Sequence, residues 1–555
     1  MTTERARSRV WNTKKLRATV TPGRSIASGP SLDVLDGLTC GPGVDALPAR
    51  AARHAPHRVA IRAGGSEWTY GELDARVTRC AAGLRELLPD LGSVVAVPAV
   101  ADPAFPTALY GTSRSGNISV VLNPLWREDG LAHALRTSRA QLAVVTPQMY
   151  RVLCDIRFHL PYLDTVVLTH PTDDAPGVPV LGDLAPRTPT PPAAPRVLPD
   201  AVACVMFTSG TTGASKAVML THRDLTVNAA QTAFAHQLDG RSVTLNCLPT
   251  YHLMHLNSSV CALAKQVLHP GGDPAGSVQA AVDNGVTHYY SLPVRLAQLA
   301  MAQAGADRRK PVPTLRAILS GGSALPVGRA DELARRFRVP VVQGYGLAET
   351  SPLSLCDPLD APRKGSCGVP LPGTECRIVH PDTREVRPLG ETGEVELRGP
   401  QLMKGYLDAE PLAPDAWFAT GDVGRMDGEG RLYLVDRIKD VFKCDNFLVS
   451  PTEVEAVLRI HPAVDDCVVV GREDPLRGAL ACALVETGDP DVAAEDVAAF
   501  VNGRVPYYQR LWRVEIVDRI PRSATGKVQR LDLRDRVARW TLPARPPENS
   551  TEGEG

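Results

Sequence analysis

The segment that constrains this chain most is Ala201-Val-Ala-Cys-Val-Met-Phe207, an unbroken apolar run that stops abruptly at Thr208-Ser-Gly-Thr-Thr-Gly-Ala-Ser-Lys216. A short apolar run without polar alternation reads as a strand buried on both faces. Five hydroxyl residues, two glycines and one lysine then follow within nine positions. Glycine lets backbone N–H groups approach an anion, hydroxyls add donors, and lysine neutralises charge. Such a loop after a strand suits a chain of phosphates. Its spacing departs from G-x-x-x-x-G-K-[ST], which argues against an ordinary P-loop nucleotidase. A flexible Ser/Gly turn is the bland alternative, and the apolar strand feeding the loop weighs against it.

Similar runs recur around helical stretches. Ser93–Val100 and Ile118–Leu125 read as buried strands with a helix between them, and Ala140–Pro147 and Leu163–His170 repeat the alternation. Trp68, Leu73, Val77, Ala81 and Leu84 fall at helical spacing, which predicts an amphipathic helix after a short strand. Strands alternating with helices imply α/β layers on a largely parallel sheet. The Pro-rich stretch from Pro171 to Pro199 is a surface connection. From Gly368 to Val435 the pattern changes to short strands with turn signals, a small β-rich subdomain. Beyond Asp436 a compact α+β unit follows, its first helix opening with Ser450 as N-cap and Glu453 three residues on, a capping box.

The expected organisation is a loose basic arm over 1–31, a large N-terminal α/β domain over 32–437, a small mobile C-terminal domain over 438–542, and a polar Pro-rich tail over 543–555. The 555 residues are too many for one core. Lys plus Arg and Asp plus Glu both count 61, so no charge excess points to nucleic acid or disorder. The twelve cysteines include no C-x-x-C pair, which leaves neither a zinc ribbon nor a redox dithiol. The N-terminus has no apolar core segment of a secretory signal, and no run reaches the about 20 apolar residues of a membrane helix. A cytoplasmic protein without nucleic-acid or membrane partners is expected.

Thr208–Lys216 resembles the signature loop of the acyl-adenylate-forming superfamily, which includes acyl-CoA synthetases, adenylation domains and luciferase. Companion motifs follow in family order. Ser320-Gly-Gly-Ser-Ala-Leu-Pro326 resembles the segment that lies along adenine, and Gln343-Gly-Tyr-Gly-Leu-Ala-Glu-Thr350 resembles Y-G-x-T-E, with Ala348 where threonine is common. Leu248–His255 resembles the segment carrying a histidine, here His252, beside the acyl pocket. Thr420-Gly-Asp422 and Asp436-Arg437 resemble the ribose clamp, and Arg522–Arg530 resembles the C-terminal catalytic loop.

The resemblance implies an ATP-dependent, AMP-forming ligase that adenylates a small, polar or aromatic carboxylic acid and passes the acyl group to CoA. Nucleotide contacts would come from Thr208, Ser209, Gly210, Thr211, Thr212, Gly213, Lys216, Gly322, Ser323, Ala324, Gly344, Tyr345, Gly346, Thr350, Asp422 and Arg437. Glu349 and Thr212 would hold Mg²⁺, and Lys527, His252 and Glu349 would form the catalytic set. Lys439 would be the hinge about which the small domain swings. In the acceptor loop, Asn446 stands where CoA ligases commonly carry a glycine just before the apolar residue, with Asp445 before it. A carrier-protein thiol, an amine, or nitrite activation for diazotising an aryl amine is therefore the alternative, and a non-catalytic nucleotide-binding homologue is a third reading.

Overall fold

A computed structural model describes residues 16–38, 41–184, 195–208, 215–246, 252–271, 273–301, 312–445, 447–522, 528–543 and 546. Four sheets organise the chain. The first has seven strands in the order 405–406, 217–221, 202–207, 118–122, 94–98, 142–145 and 165–168. It is parallel from 202–207 onward, with two antiparallel strands added at the start. The second has nine strands, with 341–346, 317–320, 288–291, 243–246, 265–268 and 59–63 as a parallel centre. These short apolar runs are buried on both faces because helices cover them, as parallel sheets require.

The helix after the strand Ser66–Thr69 spans Tyr70–Leu87. Trp68, expected on its apolar face, lies in the strand instead. The reason is local: Thr69 accepts from the Glu72 N–H while Glu72 accepts from the Thr69 N–H, and this reciprocal capping box starts the helix at Tyr70. The same device at Thr221 and Asp224 opens the helix His222–Ala235.

The β-rich region forms a third, antiparallel sheet in the order 19–20, 26–28, 375–379, 393–398, 418–426 and 432–437. Residues 16–31 are therefore no loose arm. Leu16 is buried, and Ile26–Ser28 pairs with Glu375–Arg377. A three-residue strand that finds its partner about 350 positions away carries no periodicity of its own, so composition alone misassigns it. Residues 1–15 lie outside the described set.

The fourth sheet gathers 447–449, 442–444, 478–486, 466–474 and 511–516. Its long strand Asp466–Asp474 alternates strictly. Cys467 and Val469 face a core with Val454 and Val497, whereas Val468 and Val470 face one with Leu533 and Val537. Helices Pro451–Leu458 and Ala494–Asn502 cover the first face and helix Arg530–Ala538 the second. Of the expected capping box at Ser450, half is present. Ser450 accepts from the Glu453 N–H, whereas the Glu453 carboxylate turns to Gln509. No helix among the described residues is long and apolar enough to cross a membrane.

Candidate active site

In open α/β sheets a ligand sits beyond the carboxyl ends of the parallel strands. Four neighbouring strands of the nine-stranded sheet deliver the sequence motifs to that edge. Strand 341–346 runs into Leu347, 317–320 into Gly321–Ala324, 288–291 into Leu292, and 243–246 toward His252. Gly322 has φ +89°, and the next residues Ser323 and Ala324 are exposed. The Leu325 N–H donates to Gln343 Oε1 at 2.7 Å, which ties this turn to the adjacent strand. Gly344 and Gly346 lie in that strand. A Cβ on Gly346 would stand 1.5 Å from the Pro352 carbonyl oxygen, so only glycine fits there.

At one end of this segment stands Asp422. The Tyr345 hydroxyl donates to its Oδ2 at 2.6 Å, and Arg437 Nε lies 2.9 Å from its Oδ1. Asp422 is buried, and burial pushes its pKa up, while Arg437 and then the Tyr345 hydroxyl pull it back. The Tyr345 phenol is held well above its ordinary range by burial and by Asp422. Each carboxylate oxygen keeps capacity for a second donor, and a vicinal diol brings two. Sequence reading counted Tyr345 among the nucleotide contacts; the structure adds its hydroxyl as a support for Asp422.

At the other end stands Glu349. The Tyr406 hydroxyl donates to Glu349 Oε1 at 2.9 Å, and the Lys216 ammonium lies 4.8 Å from the centre of the Tyr406 ring. Strand 405–406 pairs with 217–221, so Tyr406 is the bridge that brings the end of the phosphate-type loop to Glu349. The mouth of that loop is closed by its own backbone. The Thr208 N–H donates to the Lys216 carbonyl at 3.0 Å, and the Lys216 N–H donates to Thr208 Oγ1 at 3.3 Å. The Ser215 hydroxyl donates to the Thr208 carbonyl. Thr350 is fully buried, and its hydroxyl accepts from the Leu347 N–H at 2.9 Å and donates to the Pro352 carbonyl at 2.6 Å. It serves the turn that carries Glu349. Tyr406 escaped the sequence reading, because a Gly-Tyr pair 190 positions past Lys216 carries no spacing signal.

His252 caps the helix Leu253–Cys261, its Nδ1 accepting from the Met254 N–H at 3.3 Å. Burial lowers its pKa to about 4, so the ring is neutral at physiological pH with its proton on Nε2. His255 packs edge-on against Tyr290 with ring centres 4.6 Å apart, and Tyr290 reaches His236 Nδ1 at 2.9 Å.

Lys439 is half-buried, and burial followed by Arg437 lowers its pKa. The Arg437 carbonyl accepts from both Asp440 and Val441, a tight turn around Lys439. Asp440 faces Arg534 at 3.1 Å and Arg530 at 3.8 Å, and Arg534 also reaches the Lys439 carbonyl. Asp445, in the segment expected to meet the acceptor, is left-handed, with φ +50° and Arg477 at 3.8 Å. Ser209, Gly210, Thr211, Thr212, Gly213, Asn446 and Lys527 lie outside the described residues.

The segment 345–349 thus joins groups from three sheets, from a buried carboxylate with two donors to a glutamate and a lysine linked by a tyrosine. This is the class of an ATP-using, adenylate-forming ligase. Residues 48–407 match the AMP-binding enzyme family, and residues 453–527 match the AMP-binding enzyme C-terminal domain. The chain belongs to this family. It is 34% identical over 507 residues to a feruloyl-CoA synthase from an Amycolatopsis species, covering 89% of this chain and 99% of that one. A 4-coumarate–CoA ligase of Vanilla planifolia is 30% identical, with 86% and 90% covered. Among solved structures, ATP-bound MatB from Rhodopseudomonas palustris superposes with a TM-score of 0.80 at 25% identity, covering 90% of this chain and 99% of that one. The amide bond synthetase McbA from Marinactinospora thermotolerans gives 0.78 at 25%, with 89% and 99% covered. The chain is an AMP-forming ligase of the acyl-CoA synthetase kind.

Proposed function

We propose that this ligase activates a hydroxycinnamate-type aromatic acid with ATP and Mg²⁺ and transfers the acyl group to CoA. In the first step a carboxylate oxygen attacks the α-phosphorus of ATP; a P–O bond forms and the bond to pyrophosphate breaks. In the second the CoA thiolate attacks the acyl carbonyl and AMP leaves. Two anions meet in the first step, so charge placement supplies most of the acceleration. Asp422 would accept the two ribose hydroxyls, Arg437 would orient it, and Lys216 would face the phosphates. Gly322, Ser323 and Ala324 would border the base. His252, neutral and at the strand edge, would stand beside the acid, and Lys527 would bridge the attacking oxygen and α-phosphate from the swinging domain, with Lys439 as the pivot.

Mg²⁺ takes hard oxygen ligands, commonly one or two carboxylates plus phosphate oxygens and water. Glu349, held by one hydroxyl and placed near Lys216, fits that role. Bound there, the ion would offset charge at the reacting phosphorus.

The observation that carries this reading is the pairing of Asp422 with Tyr345 and Arg437 at one end of a five-residue segment whose other end, Glu349, meets Tyr406 and Lys216. The relatives named for feruloyl and coumaroyl thioesters support the acid and the acceptor. The residue pair Asp445-Asn446 in the acceptor loop, together with the likeness to an amide bond synthetase, favours an amine as second reading. Incubation of ferulate, coumarate, benzoate and nitrite with ATP separates them. Thioester absorbance that rises only with CoA supports the proposal; amide formed with amines, and no thioester, overturns the acceptor.

A further inference from the structure

Two carboxylates, Glu394 and Glu396, sit two positions apart on one face of the strand Gly393–Arg398 and are almost wholly buried, at 6% and 4% exposure. Buried like charges side by side need cations. Arg384 supplies one, reaching Glu394 with one guanidinium nitrogen and Glu396 with another. Arg377 adds a second, its Nε 2.6 Å from Glu396. Arg384 does this from a hairpin turn where it holds φ +61°, a backbone conformation that costs a non-glycine residue energy. The other oxygen of Glu394 accepts the Gly421 N–H at 3.2 Å. Gly421, at φ +70°, is the residue before Asp422, and its carbonyl accepts the Ile438 N–H at 2.8 Å, next to Arg437 and Lys439.

We propose that Glu394, oriented by Arg384, is a positioning residue for the nucleotide clamp: it fixes the Gly421 peptide and so aims Asp422 and Arg437 at the ribose. Neither residue touches substrate. Arg384 fixes the rotamer of Glu394 with a fork that lysine cannot reproduce at both carboxylates. Glu394 then holds the Gly421 N–H while Ile438 holds the Gly421 carbonyl, so both peptides flanking Gly421 are fixed. Loss of either lets the turn rotate, and Asp422 swings away from Tyr345.

The inference rests on the assignment of Asp422 to the ribose, so D422A is measured beside R384A, R384K and E394A. The readouts are KM for ATP and KM for the acid in pyrophosphate exchange. R384A and E394A are expected to raise KM for ATP about tenfold with KM for the acid unchanged, and R384K, restoring one of the two contacts, to fall between R384A and wild type. R384K keeps a cation beside the two buried carboxylates, so it tests the idea even if R384A or E394A fails to fold. Equal changes in both KM values, or a lower melting temperature with KM for ATP unaltered, would overturn the positioning role. If D422A leaves KM for ATP unchanged, the ribose assignment falls; if D422A raises it and R384A does not, only the role of Arg384 and Glu394 falls.

Discussion

Asp422 shows how much a single site residue depends on its neighbours. A carboxylate this buried is driven toward protonation, and Arg437, the Tyr345 hydroxyl and then Lys439 oppose that shift. In the proposed clamp ionisation matters, because a protonated oxygen would donate where a ribose hydroxyl is to be received. Removing either donor raises the Asp422 pKa further. Y345F and R437M should therefore move the acid limb of the kcat/KM profile for ATP to higher pH, R437M by more, since the Arg437 charge is the larger of the two influences. A pH profile in which neither variant moves that limb contradicts the role of Asp422. D422A should raise KM for ATP about 10- to 100-fold, the range expected for hydrogen bonds to a charged group. The motif residues themselves were legible, because Thr-Gly-Asp and Tyr-Gly carry recognisable spacing. The contact between them was not, since Tyr345 and Asp422 lie 77 positions apart and no local pattern reports which hydroxyl meets which carboxylate. Tyr406 and Glu394 were missed for the same reason.

At the scale of elements, the C-terminal helix Arg530–Ala538 is bound to the turn around Lys439, the proposed pivot. Its Arg530 and Arg534 converge on Asp440, one residue past Lys439, and Arg530 also pairs with Glu455 at 2.8 Å. Lys527 precedes that helix by three positions in the sequence, and under its proposed role a change of Asp440 would alter adenylation. D440N should slow pyrophosphate exchange about 5- to 30-fold with little change in KM for ATP, measured at saturating acid; an unchanged exchange rate would detach the helix from the pivot. Long periodic elements were readable from the sequence because burial imposes their pattern on every residue. The strands 94–98, 118–122, 142–145, 165–168 and 202–207 followed from apolar runs, and the helix Pro451–Leu458 from its cap. The strands Thr19–Val20 and Ile26–Ser28 were hidden, because two or three residues cannot display a period and their register is dictated by Glu375–Arg377 far along the chain. The helix start at Tyr70 turned on Thr69 and Glu72, a capping signature present in the sequence but outweighed by Trp68.

Across the whole molecule, several buried histidines make the fold sensitive to acid. Burial lowers His222, His252 and His288 to about 4 and His236 to about 3, against an ordinary value of 6.5. A histidine whose folded pKa is depressed stabilises the fold above its unfolded pKa, and that contribution is lost as pH falls from about 6.5 toward the folded value. Each group removes about 1.4 kcal/mol per pH unit across that window. The melting temperature should drop steeply between pH 6.5 and about 4, and H236Q should flatten the slope; a melting curve level across that range contradicts the burial of these rings as neutral groups. The most direct test of the account concerns the adenylate itself. With ferulate, ATP and Mg²⁺ but no CoA, labelled pyrophosphate should exchange into ATP, and stoichiometric AMP should appear only once CoA is added. Release of ADP and phosphate, or no exchange with any acid tried, would contradict it.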